Sequence, residues 1–129
     1  MFYLLICGSR NYHNYLEFKK ITDFALKNQK DVVIVSGGAN GADKLAEKYC
    51  FEKNIKIIVF NAEWNKYGKS AGFKRNAEMI NFIKEKEKNG VLAFWDMESK
   101  GTEHSIKLAR KENIDVRIFD IENKKIIRN

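Results

Sequence analysis

Short apolar runs alternate with helical stripes along this chain, and no other feature of the sequence restricts the fold as strongly. Residues 2–7, 32–35, 55–60, 91–95 and 114–119 are rich in β-branched, aromatic and aliphatic side chains and read as strands. Between them, apolar residues recur at helical spacing. The stripes are Phe18, Ile21 and Ala25, then Ala42, Leu45, Ala46 and Tyr49, then Phe73, Ala77, Ile80 and Ile83, and finally Ile106 and Ala109 behind Thr102. The central runs lack strict polar alternation, which is the pattern of strands covered on both faces. Short connections between β and α segments, with right-handed crossovers, place helices on both sides of such a sheet. The expected fold is therefore α/β: a single Rossmann-like three-layer domain over residues 1–129, with a mostly parallel sheet of about five strands. Ile126 and Ile127, after the Glu122-Asn123 turn, leave room for a short last strand.

Composition narrows the partners. The chain is 44% hydrophobic, enough for a packed core, and carries a formal charge of +7. No apolar run reaches the roughly 18–20 residues that cross a bilayer, and the opening MFYLLIC is too short for a secretory leader. A soluble, cytoplasmic protein is expected, without membrane partners. Net positive charge favours anionic partners without choosing among them. Its densest stretch is residues 64–90, with seven basic and three acidic side chains. Cys7 and Cys50 lie in apolar stretches and read as buried free thiols. The two histidines and two cysteines are scattered without ligand spacing, so no metal and no cofactor are expected.

In a doubly wound sheet, ligands sit at the carboxyl ends of the strands. The first strand ends in Gly8-Ser9-Arg10: a turn glycine allowing positive φ, a hydroxyl, and a guanidinium suited to phosphate. The second ends in Ser36-Gly37-Gly38-Ala39-Asn40-Gly41-Ala42-Asp43, three glycines in five residues before a helix. Backbone N–H groups approach an anion closely in such a loop, and the helix N-terminus adds partial positive charge. Asn40 and Asp43 suit either a cap or a ligand contact. Residues 61–76 form a long polar loop holding Trp64, Tyr67, Lys66, Lys69, Lys74, Arg75 and Asn76, aromatics for a base and cations for phosphate. Arg75 and Glu78 also stand i, i+3 and can pair on a helix surface. The fourth strand leads to Gly101-Thr102, which opens a helix with free N–H groups and a hydroxyl that also serves as an ordinary cap.

Taken together, Gly8-Ser9-Arg10, the Gly37–Asp43 segment, Trp64 with Tyr67-Gly68 and Ala71-Gly72, Arg75-Asn76-Ala77-Glu78-Met79 and Gly101-Thr102 resemble the SLOG superfamily, specifically its small YspA-type proteins. The likeness runs over about residues 3–119. It implies a Rossmann-like domain that binds a nucleotide or nucleotide-derived ligand through its strand-end loops, and a homodimer or higher homo-oligomer. The superfamily also holds the Lonely-guy phosphoribohydrolases, sensor domains for NAD-derived signals and the DNA-processing protein DprA. Arg75 followed by Met79 looks like part of the phosphoribohydrolase pattern, as does Gly101-Thr102. The glycines expected before Gly101 are absent, and Ser105 occupies the position of that pattern's glutamate. Cleavage of an N-glycosidic bond would then fall to Arg75 with Glu78, Glu103 or Asp43 as the carboxylate. Nucleotide binding is the leading expectation. Nucleotide N-glycosidase activity and single-stranded nucleic-acid binding are the alternatives.

Overall fold

The computed structural model describes residues 1–128. Six strands form one sheet: β1 (Phe2–Gly8), β2 (Val32–Ser36), β3 (Lys56–Val59), β4 (Lys88–Trp95), β5 (Val116–Asp120) and β6 (Lys125–Arg128). The helices are α1 (Tyr15–Leu26), α2 (Ala42–Lys53), α3 (Trp64–Tyr67), α4 (Ala71–Lys84) and α5 (Lys100–Lys111), with a 3-10 turn at Gly68–Ser70. Strand order is β3-β2-β1-β4-β5-β6. Every pair is parallel except β5 with β6, the antiparallel edge that the Ile126-Ile127 run foreshadows.

Side chains alternate across β1 and so divide the core in two. Leu4 and Ile6 join Ile34, Phe94 and Phe119 beneath α1 and α2, which contribute Phe18, Leu26, Ala46 and Tyr49. Leu5 and Cys7 face the other way, with Val35, Val91, Ala93, Val116 and Ile118 under Met79, Ile80 and Ile83 of α4 and Ile106 of α5. Phe94 anchors the first layer, stacking on Phe18 (4.6 Å between ring centroids) and Tyr12 (5.4 Å). Helices thus cover both faces.

The chain runs outward from β1 to β2 and β3, then returns past β1 to place β4 on its other side. β1 and β4 are paired from Phe2↔Lys88 to Gly8↔Phe94, so their carboxyl ends flank the point where the connections diverge. Two local expectations shift. The polar segment 61–76 is largely helical, since α3, the 3-10 turn and the start of α4 occupy it. The inward face of α4 carries Ala71, Arg75, Asn76, Met79, Ile80 and Ile83, while Phe73 is 49% exposed. Two polar residues thus take positions on the buried stripe, which an apolar-periodicity argument assigns one residue pair away. Among the described residues no helix is long and apolar enough to cross a membrane.

Candidate functional site

The end of β1 is packed against both neighbours. A Cβ on Gly8 would lie 2.7 Å from the Ala42 Cβ and would strike the Phe94 carbonyl. Gly8 is needed for this close approach and not for a positive φ; Gly38 (φ 68°), Gly41 (φ 76°) and Gly68 (φ 58°) are the described glycines in the left-handed region. Ser9 is buried, and its Oγ accepts from Asp96 N (3.1 Å) and from Ser99 Oγ (3.2 Å). Asp96 Oδ1 in turn accepts from Ser99 N (2.7 Å) and Glu98 N (2.9 Å). Burial pushes the Asp96 carboxyl up, but the Ser99, Glu98 and Ser9 bonds outweigh it and hold the group below its ordinary value. The loops after β1 and β4 are therefore tied to each other before any ligand arrives.

The glycine-rich turn after β2 is fitted to protein neighbours. A Cβ on Gly37 would meet the Arg75 Cζ at 2.9 Å, and one on Gly38 would meet Asn61 Oδ1 at 2.6 Å. One on Gly41 would strike the Ser9 and Arg10 backbone. Gly41, not Asn40, is the N-cap of α2 and supplies no side-chain bond. Instead Asp43, in the first turn of α2, accepts from Ala39 N through Oδ2 (3.1 Å) and holds the turn shut. Ser36 is fully buried, with its Oγ 3.4 Å from Gly38 N as acceptor.

Arg75 and Asn76 reach across from α4. Arg75, only 8% exposed, donates through Nη1 to the Gly37 carbonyl (2.5 Å) and through Nε to Asn76 Oδ1 (3.0 Å). Asn76 Nδ2 donates to the Gly101 carbonyl (3.2 Å). It also lies 3.4 Å from His104 Nδ1, whose ring stacks on Phe73. This pair of residues therefore connects the β2 turn to the start of α5. Burial lowers the Arg75 pKa, opposed by the Asp43 charge, yet a guanidinium keeps its proton. Burial pushes the Cys7 thiol far up, with Asp43 adding to the shift, so this cysteine stays a neutral wall.

These elements enclose an open cavity of about 490 Å³ at the β1–β4 divergence. Gly8, Arg10, Ala39, Asp43, Trp64, Arg75, Asn76, Gly101 and Thr102, all singled out from sequence, line it together. A second hollow of about 370 Å³ shares Arg10, Ala39, Trp64 and Arg75 with it and adds Gly37, Gly38, Asn40 and Asn61. Arg10 Cζ lies 5.9 Å from the Trp64 ring centroid, between the two hollows. The N-termini of α2 and α5 border the first cavity, as do Lys69 and Lys100. Four cations and two helix N-termini thus surround a space whose lining carboxylate is Asp43. Such a space attracts anions.

Other sequence candidates stand apart. Ser9, Ser36 and Gly41 shape the loops from behind without lining either hollow. Tyr67 lies beneath the Lys66 and Lys74 ammonium groups (5.1 and 4.9 Å) and outside both hollows. Glu78 is exposed on α4, and Glu103 sits 3.8 Å from Lys107; neither lines a hollow. Thr102 lies inside α5, whose N-cap is Ser99. Phe73, expected on the buried stripe of α4, lines the cavity instead, and Asn11, Asn61, Ser99 and Lys100 join the hollows without a motif of their own. Each of these four is a neighbour in sequence of a residue singled out above, or follows a strand end, and that placement is the signal that finds them. Among the described residues no group of three or more His, Cys, Asp or Glu is placed to hold a metal ion.

The Gene 61 protein of Mycobacterium phage D29 is 31% identical over 119 residues, covering 88% of this chain and 92% of the phage protein. Two solved structures share the fold, both at 21% identity. DNA processing protein A (DprA) from Streptococcus pneumoniae superposes with a TM-score of 0.71 over 92% of this chain. DprA from Helicobacter pylori, whose single-stranded DNA binding mode has been described, gives 0.65 over 91%. This chain spans 50% and 64% of those two proteins. The model of the YspA, cpYpsA-related SLOG family matches residues 2–67, which carry β1 through α3 and with them the Gly8-Ser9-Arg10 and Gly37–Asp43 turns. The matched residues supply Gly8, Arg10, Ala39, Asp43 and Trp64 of the cavity wall, while α4 and α5 lie outside the match, and the chain belongs to the YspA, cpYpsA-related SLOG family.

Proposed function

We propose that the cavity between the ends of β1 and β4 binds a nucleotide or nucleotide-derived small molecule. The observation that carries this reading is the convergence of Arg10, Lys69, Arg75 and Lys100 with the α2 and α5 N-termini on one open cavity of about 490 Å³. Its volume falls within the range of small-molecule sites. Phosphate would sit among these donors, and the exposed Trp64 and Phe73 rings at the rim suit a base. Of the three carboxylates considered for N-glycosidic cleavage, Glu78 and Glu103 lie outside the cavity; Asp43 lines it, but one of its oxygens is committed to Ala39 N, so binding is the leading reading.

The test is calorimetric titration of the protein with the 5′-monophosphates of adenosine, guanosine, cytidine and uridine, with NAD and ADP-ribose alongside. At least one compound is expected to bind, and Arg10→Ala is expected to weaken it. No heat from any of them would end the reading.

A second reading, single-stranded nucleic acid, is favoured by a separate observation. Trp64, Tyr67, Lys66, Lys69 and Lys74 cluster cations and aromatics on α3, the 3-10 turn and the start of α4, and Trp64 and Lys69 also line the cavity. The described DNA binding of the structurally similar Helicobacter pylori protein points the same way. Here an oligonucleotide would bind with an affinity that falls steeply with salt, whereas mononucleotides would bind weakly. An oligonucleotide that does not bind at low salt would remove this reading.

A further inference from the structure

Asp43 differs from every other charged group around the cavity. Arg10, Lys69, Arg75 and Lys100 are cations that only donate hydrogen bonds. Asp43 is an acceptor, buried to 7% exposure. One of its oxygens is engaged by Ala39 N, and Oδ1 is buried with no hydrogen-bond partner. A buried acceptor left unpaired is costly, so such a group calls for an explanation in the site itself. The bond that closes the Ala39 turn uses one oxygen, and the nearby charge of Arg75 still leaves Oδ1 without a hydrogen-bond partner.

A ligand phosphate cannot occupy the space over Asp43, because two anions would meet in a poorly hydrated corner. The group that faces Asp43 must be a donor, and it must stand close to the phosphate held by the neighbouring arginines. In a nucleotide the groups that meet both conditions are the sugar hydroxyls. The terminal torsion of an aspartate is broad, so Oδ1 can swing toward the cavity while the carboxylate keeps contact with Ala39. We propose that Asp43 is a specificity-determining residue whose free carboxylate oxygen accepts a hydrogen bond from a ribose hydroxyl, so that the cavity selects ribonucleotides over their deoxy counterparts. This rests on the nucleotide-binding reading above and sharpens it.

The donor preference follows from what each sugar offers. A ribonucleotide satisfies the orphaned oxygen. A 2′- or 3′-deoxynucleotide that lacks the facing hydroxyl leaves Oδ1 unpaired, as it is in this structure, and forgoes that bond. Sites built around a ligand hydroxyl reject the analogue without it more strongly than apolar pockets reject a methylene. Here the expected preference is about 10–100-fold.

The experiment titrates the wild-type protein with each ribonucleoside 5′-monophosphate, its 2′-deoxy form and its 3′-deoxy form, and repeats the series with Asp43→Asn. Asparagine keeps an oxygen for Ala39 N and replaces the free carboxylate oxygen with an N–H₂, so the variant preserves the turn and exchanges a charged acceptor for a neutral donor, which a sugar hydroxyl meets only by accepting. The expected result is a ribonucleotide preference of at least tenfold over one deoxy form, reduced severalfold in Asp43→Asn, where the charge-assisted bond is lost. Equal wild-type affinity for all three sugars overturns the assignment while leaving nucleotide binding intact. A preference that persists unchanged in Asp43→Asn also overturns it and places the sugar elsewhere. No binding by any sugar removes both this assignment and the reading beneath it. The wild-type comparison stands even if the variant folds poorly.

Discussion

At the carboxyl end of the sheet Ser9, Ser36, Asp43, Arg75, Asn76 and Thr102 are all buried. At the amino end the polar residues stay in water: Arg128 and Asp115 pair at 2.9 Å, with side chains 57% and 42% exposed. The core layers run under both ends, so apolar packing does not separate them. What separates them is desolvated charge. An exposed pair contributes little to stability and costs little. A buried guanidinium and a buried carboxylate contribute only through well-made hydrogen bonds, and an apolar replacement of equal volume is often as stable. Buried charge concentrated at one end of a sheet therefore marks the end that does chemistry or binding.

The contrast is broken most severely at Arg75. Arg75→Ala leaves the Gly37 carbonyl and Asn76 Oδ1 without their donor and removes the cation nearest Asp43. A loss of about 3–5 kcal/mol is expected in urea unfolding, together with loss of nucleotide binding. A shift below about 1 kcal/mol would mean that Arg75 is not integral to the turn.

Next in size is a pH effect at Asp43. Burial raises its carboxyl from 3.8 to about 6; the Ala39 bond, Arg75 and Arg10 pull it down, while Glu47 pushes it up, and the neutral Cys7 lies beside it. Between those values the folded protein holds a proton that the unfolded chain has released. Stability from this group is thus greatest below about pH 4, falls as pH rises through about 6 and is flat above. The span is about 3 kcal/mol. Asp43→Asn cancels it, so the variant should gain on the wild type as pH climbs from 4 to 7 in denaturant titrations. Parallel pH profiles would show that the carboxylate is not desolvated.

Arg10→Ala probes the rim of the same end. Arg10 is exposed and holds its place over Trp64, so stability should change by under about 0.5 kcal/mol. Affinity for a bound nucleoside monophosphate should fall about 10–100-fold. At the far end Arg128→Ala should cost less than about 1 kcal/mol and leave nucleotide titrations unchanged. An effect of Arg128→Ala on binding would dissolve the distinction between the two ends.

Much of this arrangement was legible in the residues. The central strand runs, residues 2–7 and 32–35, are apolar without polar alternation, and that indicates a sheet covered on both faces, as Leu4 and Leu5 show by entering opposite layers. The glycines were legible as points of close approach, but not the identity of what approaches. Gly37 makes way for Arg75, Gly38 for Asn61 and Gly41 for the backbone of residues 9 and 10. Each contact spans many residues, and sequence spacing does not encode it. The α4 stripe held at Ile80 and Ile83 and departed at Phe73 for a related reason: Arg75 and Asn76 are buried because partners on the β2 turn and α5 satisfy them, while a periodicity argument counts only apolar residues as inward. Asp43 read equally well as a helix cap, since its unpartnered oxygen becomes visible only once neighbours are placed.

The Ser9 hydroxyl, shared between Asp96 N and Ser99 Oγ, joins the two lips of the cleft on either side of the divergence point. A guest entering there finds the walls already standing. Little chain freedom is surrendered on capture, so the association rate should be governed by electrostatic encounter and should respond to ionic strength far more than to solvent viscosity acting on loop motion.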